Sequence, residues 1–181
     1  ERRFKALDEL LNKELILFSN IKEEYRKDPL IFYECLKQDK SLLDNLSKED
    51  FENFKDSETV CYEILTKRRE LYRYCSDRVK SNKHLVVNSI IDSVENYQYI
   101  PDSCKLDREL VLKMLGYNIE LFPLISDKFK NDVEFIISAV KKNCRILKYA
   151  DKTLLPHSFW ELNVIDNPLL FEYAPEHIKD M

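Results

Sequence analysis

The side chains with the most reactive chemistry are the five cysteines, Cys35, Cys61, Cys75, Cys104 and Cys144, and the three histidines, His84, His157 and His177. A thiol nucleophile needs a histidine beside it as base, and no cysteine and histidine share a local motif. The cysteine count is odd and no pair has CxxC spacing. Neither a zinc ribbon nor a closed disulfide framework is therefore expected. Cys35, Cys61, Cys75 and Cys104 fall on apolar positions of a helical pattern, which predicts structural burial. Cys144 falls at a turn between helices and is expected to be the most exposed. His157 and Glu161 lie one helical turn apart, but two groups do not make a metal site; a solvated helix face accounts for them. The sequence thus assigns no catalytic, metal-binding or cofactor-binding residue.

A second kind of chemistry is recognition by charge and aromatic surface. Lys67, Arg68, Arg69, Arg73, Arg78, Lys80 and Lys83 form one basic cluster, and Lys141, Lys142, Arg145, Lys148 and Lys152 form another. Acidic residues concentrate elsewhere, in Asp44, Glu49, Asp50, Glu52, Asp56 and Glu58. Such separation can steer a charged partner, although a charge run also serves as a plain solvated face. Tyr74, Tyr99, Tyr149 and Tyr173 recur at one register position and could form a binding stripe. Alternatively, each ring packs its body between neighbouring segments and leaves its hydroxyl wet. The candidate partner-binding residues are Arg68, Arg69, Arg73, Tyr74, Tyr99, Lys141, Lys142, Arg145 and Tyr149.

The elements that must position these residues follow from an internal repeat of about 25 residues. Asp107–Lys130 aligns on Asp132–Leu155 without a gap. Asp107 meets Asp132, Glu109 meets Glu134, and Leu110, Val111, Met114 and Leu115 meet Phe135, Ile136, Ala139 and Val140. Further units start near 28, 57, 82 and 156, the first separated from the second by 29 residues. Each opens on a helix-capping residue (Asp28 before Pro29, Ser57, Asn82, Asp107, Asp132), whose side-chain oxygen can accept from the free amides of the first turn. Apolar residues at relative positions 3, 4, 7 and 8 give the first helix one buried face. Asn118, Asn143 and Asn167 stand where that helix should stop, as residues tolerant of the left-handed conformation. A short second helix is predicted from apolar positions 14, 15, 18 and 22.

The fold expected is all-α: a solenoid-like array of about six antiparallel helical hairpins over residues 22–181. An amphipathic capping helix over residues 1–21 (Phe4, Leu7, Leu10, Leu11, Leu15) covers its open end. Composition agrees. Gly116 is the only glycine, too few for a GxGxxG or Walker loop or for the turns of an all-β domain. Twenty-nine basic against 33 acidic residues give a net charge of −4, which argues against a general nucleic-acid binder. No apolar run reaches the ~18–20 residues that span a bilayer. The sequence opens at Glu1 without a methionine or a signal segment, as expected of a piece cut from something longer.

The stretch Leu106–Leu155, above all Asn131-Asp-Val-Glu-Phe-Ile-Ile-Ser-Ala-Val-Lys-Lys-Asn-Cys-Arg-Ile-Leu-Lys-Tyr-Ala, resembles the helical repeats of the domain-of-unknown-function family number 4116. Cys144 and Ile119 stand where those repeats prefer glycine. The resemblance implies an α-helical array, no known reaction and no catalytic residue to carry over. It also implies a setting in proteins of intracellular bacteria, including Legionella-like secreted effectors.

The function expected is therefore a protein–protein interaction module within a bacterial effector, non-enzymatic and without cofactor, nucleic acid or membrane insertion. The compartment expected is reducing and cytosol-like, either that of the producing cell or a host cytoplasm reached by secretion. Two rivals stay open: a stand-alone inhibitor or chaperone-like protein that masks another protein's surface, and an effector enzyme with a cryptic site near residues 156–166, around His157, Trp160 and Glu161.

Overall fold

A computed structural model describes Phe18, residues 21–165 and residues 167–179. The capping helix expected over residues 1–21 lies outside the described residues except for Phe18 and Ile21. The described residues form helices and turns and no strand. They divide into two compact units, Glu1–Ser89 and Ile90–Met181, each built from the same local grammar.

Unit 1 contains α1 (Glu23–Arg26), α2 (Pro29–Gln38), α3 (Lys48–Phe51), α4 (Glu58–Lys67), α5 (Asp77–Lys80) and most of α6 (Lys83–Ile90). Capping residues begin the longer helices as their chemistry requires. Asp28 accepts from the amides of Leu30 and Ile31, with Pro29 in the first turn, and Ser57 accepts from Val60. Asn82 accepts from His84 and Leu85. α2 buries Ile31, Phe32, Cys35 and Leu36, and α4 buries Val60, Cys61, Ile64 and Leu65. These two faces pack on each other, and Phe32 stacks on Phe54 with ring centroids 4.2 Å apart.

Unit 2 contains α7 (Asp102–Lys105), α8 (Arg108–Tyr117), α9 (Asp127–Lys130), α10 (Val133–Lys142), α11 (His157–Val164), α12 (Leu169–Tyr173) and α13 (Glu176–Lys179). Asp107 caps α8 through Leu110 N, and Asp132 caps α10 through Phe135 N. α8 buries Leu110, Val111, Met114 and Leu115; α10 buries the register-equivalent Phe135, Ile136, Ala139 and Val140. The two helices pack directly on each other.

The segment after each long helix departs from the expectation of one short helix. After α4, α6 and α8 it splits into a 3-10 helix and a one-turn α-helix (Arg69–Tyr74 then α5, Val94–Tyr99 then α7, Ile119–Leu124 then α9), and after α10 into two 3-10 helices, Cys144–Lys148 and Lys152–Leu154. The chain extends between the two at Cys75, Ile100 and Ile125, with ψ of 153°, 133° and 163°. Ser76, Pro101 and Ser126 then start the next turn. Apolar spacing of three to four residues suits either helix type, so it does not reveal this break.

The asparagines that end α8 and α10 are also not left-handed. Asn118 has φ −140° and Asn143 φ −153°, both extended. Each closes one helix and caps the next. The Asn118 side chain accepts from Glu120 N and that of Asn143 from Arg145 N. An extended residue with a short acceptor side chain is the ordinary requirement of an N-cap, and this role displaces the left-handed one.

Within each unit, long-range polar ties repeat. The first residue of one helix reaches the capping residue of the next: Glu58 accepts from Asn82 Nδ2 at 2.7 Å in unit 1, and Arg108 binds Asp132 at 2.5 Å in unit 2. The residues closing α4 and α8 reach back to carbonyls of the preceding segment. Arg68 Nη1 donates to Leu43 O and Leu46 O, and Asn118 Nδ2 donates to Ile90 O.

Candidate functional site

The first basic cluster is committed to the protein's own structure. Besides its two carbonyl acceptors, Arg68 pairs through Nε with Glu70. Lys67 pairs with Asp44, and Arg69 Nε donates to Asn88 O at 3.1 Å. Arg78 pairs with Glu58 and also donates to Asp56 O. Arg73 and Lys48 lie over the ring of Tyr74, at 4.6 Å and 4.3 Å from its centroid. These guanidinium and ammonium groups staple neighbouring segments of unit 1.

The tyrosines of the recurring position are half-buried rather than displayed. Lys148 covers Tyr149, and Lys152 covers Tyr173. Tyr99 is also half-buried, while its neighbour Tyr97 is buried beneath Lys105. Burial, with Asp102 adding to it, pushes the Tyr97 phenol up to about 12.

Lys141, Lys142 and Arg145 differ from the first cluster. All three are exposed, and among the described residues none has an ion-pair or hydrogen-bond partner for its side chain. Arg145 lines an open polar groove of about 480 Å³ in unit 2. The groove follows successive helix-closing turns. Its walls are Ile91, Asp92, Val94 and Glu95; then Tyr117, Asn118, Ile119 and Glu120; then Asn143 and Arg145. Glu95, Glu120 and Arg145 are register equivalents, each two residues past the helix-closing position. The carboxylates of Glu95 and Glu120 have no ionic partner among the described residues. Tyr117 is 58% exposed, and no cation of the described residues lies over its ring. The Asn118 amide group is spent on Ile90 O, whereas that of Asn143 donates to no described residue.

Asp92, Glu95, Tyr117 and Glu120 escape a reading by charge density, because acidic residues far apart in sequence look scattered. Only the 25-residue register, applied to the closing turn, would have aligned them.

A second concavity, about 350 Å³, lies in unit 1 among Phe18, Arg26, Phe32, Leu42, Asp50 and Phe54.

All five cysteines are free and buried. This corrects the expectation for Cys144, which is 8% exposed. The 3-10 helix that Asn143 caps tucks its first residue inward together with Ile146 and Leu147. Burial, with the nearby Glu34 charge, pushes the Cys35 thiol up to about 11. A hydrogen bond with Cys75 and burial raise that of Cys61, whose sulfur also donates to Phe54 O at 3.3 Å. Thiols held protonated are poor nucleophiles and ligands.

In the region of the enzyme reading, His157 Nε2 lies 3.3 Å from Glu161 Oε1 along α11, both half-exposed. Trp160 is 1% exposed and packs edge-on against Phe159, so it is a core residue. Among the described residues, no group of three or more His, Cys, Asp or Glu converges as a metal site. No described helix is long and apolar enough to cross a membrane.

Residues 107–155, which run from the α8 cap to the end of the 3-10 turn after α10, match a domain of unknown function, DUF4116. No curated protein and no solved structure matches the chain.

Proposed function

We propose that this chain is a protein–protein interaction module, carried by a bacterial secreted effector and without catalytic activity of its own. In this reading the recurring helix, 3-10 helix and one-turn helix are successive repeats of one solenoid-like array, and its closing turns present the recognition edge. The observation that carries the reading is the unit 2 groove. It is concave, polar and open, and it holds Glu95, Glu120, Arg145 and the Tyr117 ring, none of which has an ionic or cation partner among the described residues. Groups not needed for internal ties are available for a partner, and an exposed aromatic amid unpaired charges suits a polypeptide. Lys141, Lys142 and Arg145 extend the same edge, so of the residues named from sequence these are the ones assigned to binding. Arg68, Arg69, Arg73 and Tyr74 are assigned to structure.

The test places a photo-crosslinking amino acid at position 117 or, as comparison, at position 70 of the full chain, in lysate of the producing or an infected cell. The partner is then purified and titrated against the unmodified chain. Adducts at 117 and not at 70, with binding of the purified partner lost in Glu120→Lys, support the reading. Equal adducts at both positions, or binding indifferent to Glu120, contradict it.

A further inference from the structure

Several tyrosine rings of this protein are paired with cations. Tyr74, Tyr97, Tyr149 and Tyr173 each carry a Lys or Arg of the chain within 5.5 Å of the ring centroid. Tyr117, like Tyr62, is exposed with no described cation over its ring, and it alone of the two shares a groove with carboxylates, those of Glu95 and Glu120, that have no ionic partner among the described residues. A ring face beside two carboxylates is a seat for a lysine ammonium or an arginine guanidinium. One register step further along, the sign reverses, for Arg145 occupies the place of Glu120. Between them stands Asn143, whose amide group is free to meet a peptide carbonyl.

The geometry sets the spacing. Glu120 follows α8 and Arg145 follows α10, and these helices are direct neighbours. Packed helices lie about 8–10 Å apart, and an extended chain advances about 3.3 Å per residue. Positions read by Glu120 and by Arg145 are therefore about three residues apart.

Building on the interaction reading, we infer that the unit 2 groove binds an extended peptide segment with a basic residue at one position and an acidic residue three positions away. The basic side chain sits on Tyr117 between Glu95 and Glu120. The peptide backbone meets Asn143, and the acidic side chain pairs with Arg145. The occupant is a charged, ordered-on-binding protein segment, and its sequence signature is the order and spacing of two opposite charges.

The test is selection of binders from a random peptide library displayed on phage, against the full chain. A parallel selection uses the double variant Glu120→Arg, Arg145→Glu, with its fold checked by circular dichroism and thermal melting. Enrichment of Lys or Arg three residues from Asp or Glu is expected. In the double variant the order of the charges should invert. Single Glu120→Gln should weaken a selected peptide about fivefold, the scale of one exposed ion pair. Binders without that spacing, or the same binders for both proteins, would overturn the inference while leaving the interaction reading standing. Absence of any binder would overturn it too, and the crosslinking experiment then decides the reading by itself.

Discussion

The closing turn of α4 in unit 1 and those of α8 and α10 in unit 2 occupy equivalent register positions, yet one is filled and the other open. At the end of α4 stands Arg68, whose long guanidinium crosses to Leu43 O and Leu46 O and pairs with Glu70. At the ends of α8 and α10 stand Asn118 and Asn143, whose short side chains cap the next turn; that of Asn118 also donates to Ile90 O, and that of Asn143 donates to no described residue. A long cationic side chain at this position consumes both the space and the charge of its edge. A short amide leaves a groove and leaves Glu120 and Arg145 without an ionic partner among the described residues. One residue choice at one register position thus separates a filled edge from an open one, the edge proposed for recognition.

Breaking the filled edge should have the largest effect. Arg68→Asn removes charge-assisted bonds to two carbonyls and should cost roughly 2 kcal/mol in urea denaturation. A loss below about 0.5 kcal/mol would mean that the guanidinium is not a staple. Next come the asparagines, which sharpen the comparison because they are unequal. Asn118→Ala loses a cap and a long-range bond and should cost about 1–2 kcal/mol; Asn143→Ala loses only a cap and should cost about 1 kcal/mol. Equal losses would show that the tie to Ile90 O contributes nothing.

A third prediction concerns the inter-segment tie of unit 2. The backbone amide of Phe135, then the Arg108 guanidinium, hold the Asp132 carboxyl below its ordinary value of 3.8. A depressed folded value gives stability that is fully present above the unfolded value, near pH 4, and is lost as pH falls through the folded one. Acid titration followed by circular dichroism should therefore show a steeper loss below pH 4 for the unmodified chain than for Asp132→Asn. Parallel curves would remove the ionised carboxylate from the account. The smallest effect is a gain. Gly116 in α8 has open space where a Cβ would stand, so Gly116→Ala should stabilise by at most about 1 kcal/mol in the same denaturation assay.

The helix starts were legible because their chemistry is local. Asp28, Ser57, Asn82, Asp107 and Asp132 each sit immediately before an apolar run and bind amides two or three residues ahead. The buried faces of α4, α8 and α10 were legible from period alone. The break after each 3-10 helix was not, because three-residue and four-residue spacings coincide over so short a run. The asparagine conformation was misread because residues that end helices and residues that begin them overlap in type, and here a single residue does both. Cys144 was misread for the same reason, since the turn proved to be the start of a tucked 3-10 helix. The basic clusters were visible as composition, but their division into paired Arg68, Arg69, Arg73 and Arg78 and unpaired Lys141, Lys142 and Arg145 depends on contacts some 20 residues apart. The groove is legible only after folding, because its carboxylates come from different turns.

The most direct test is hydrogen–deuterium exchange of the full chain with and without a saturating selected peptide. Protection is predicted at residues 117–120 and 143–145, with residues 67–71 unchanged. Protection confined to 67–71, or spread equally over both edges, would contradict the claim that the asparagine-closed turns form the recognition surface.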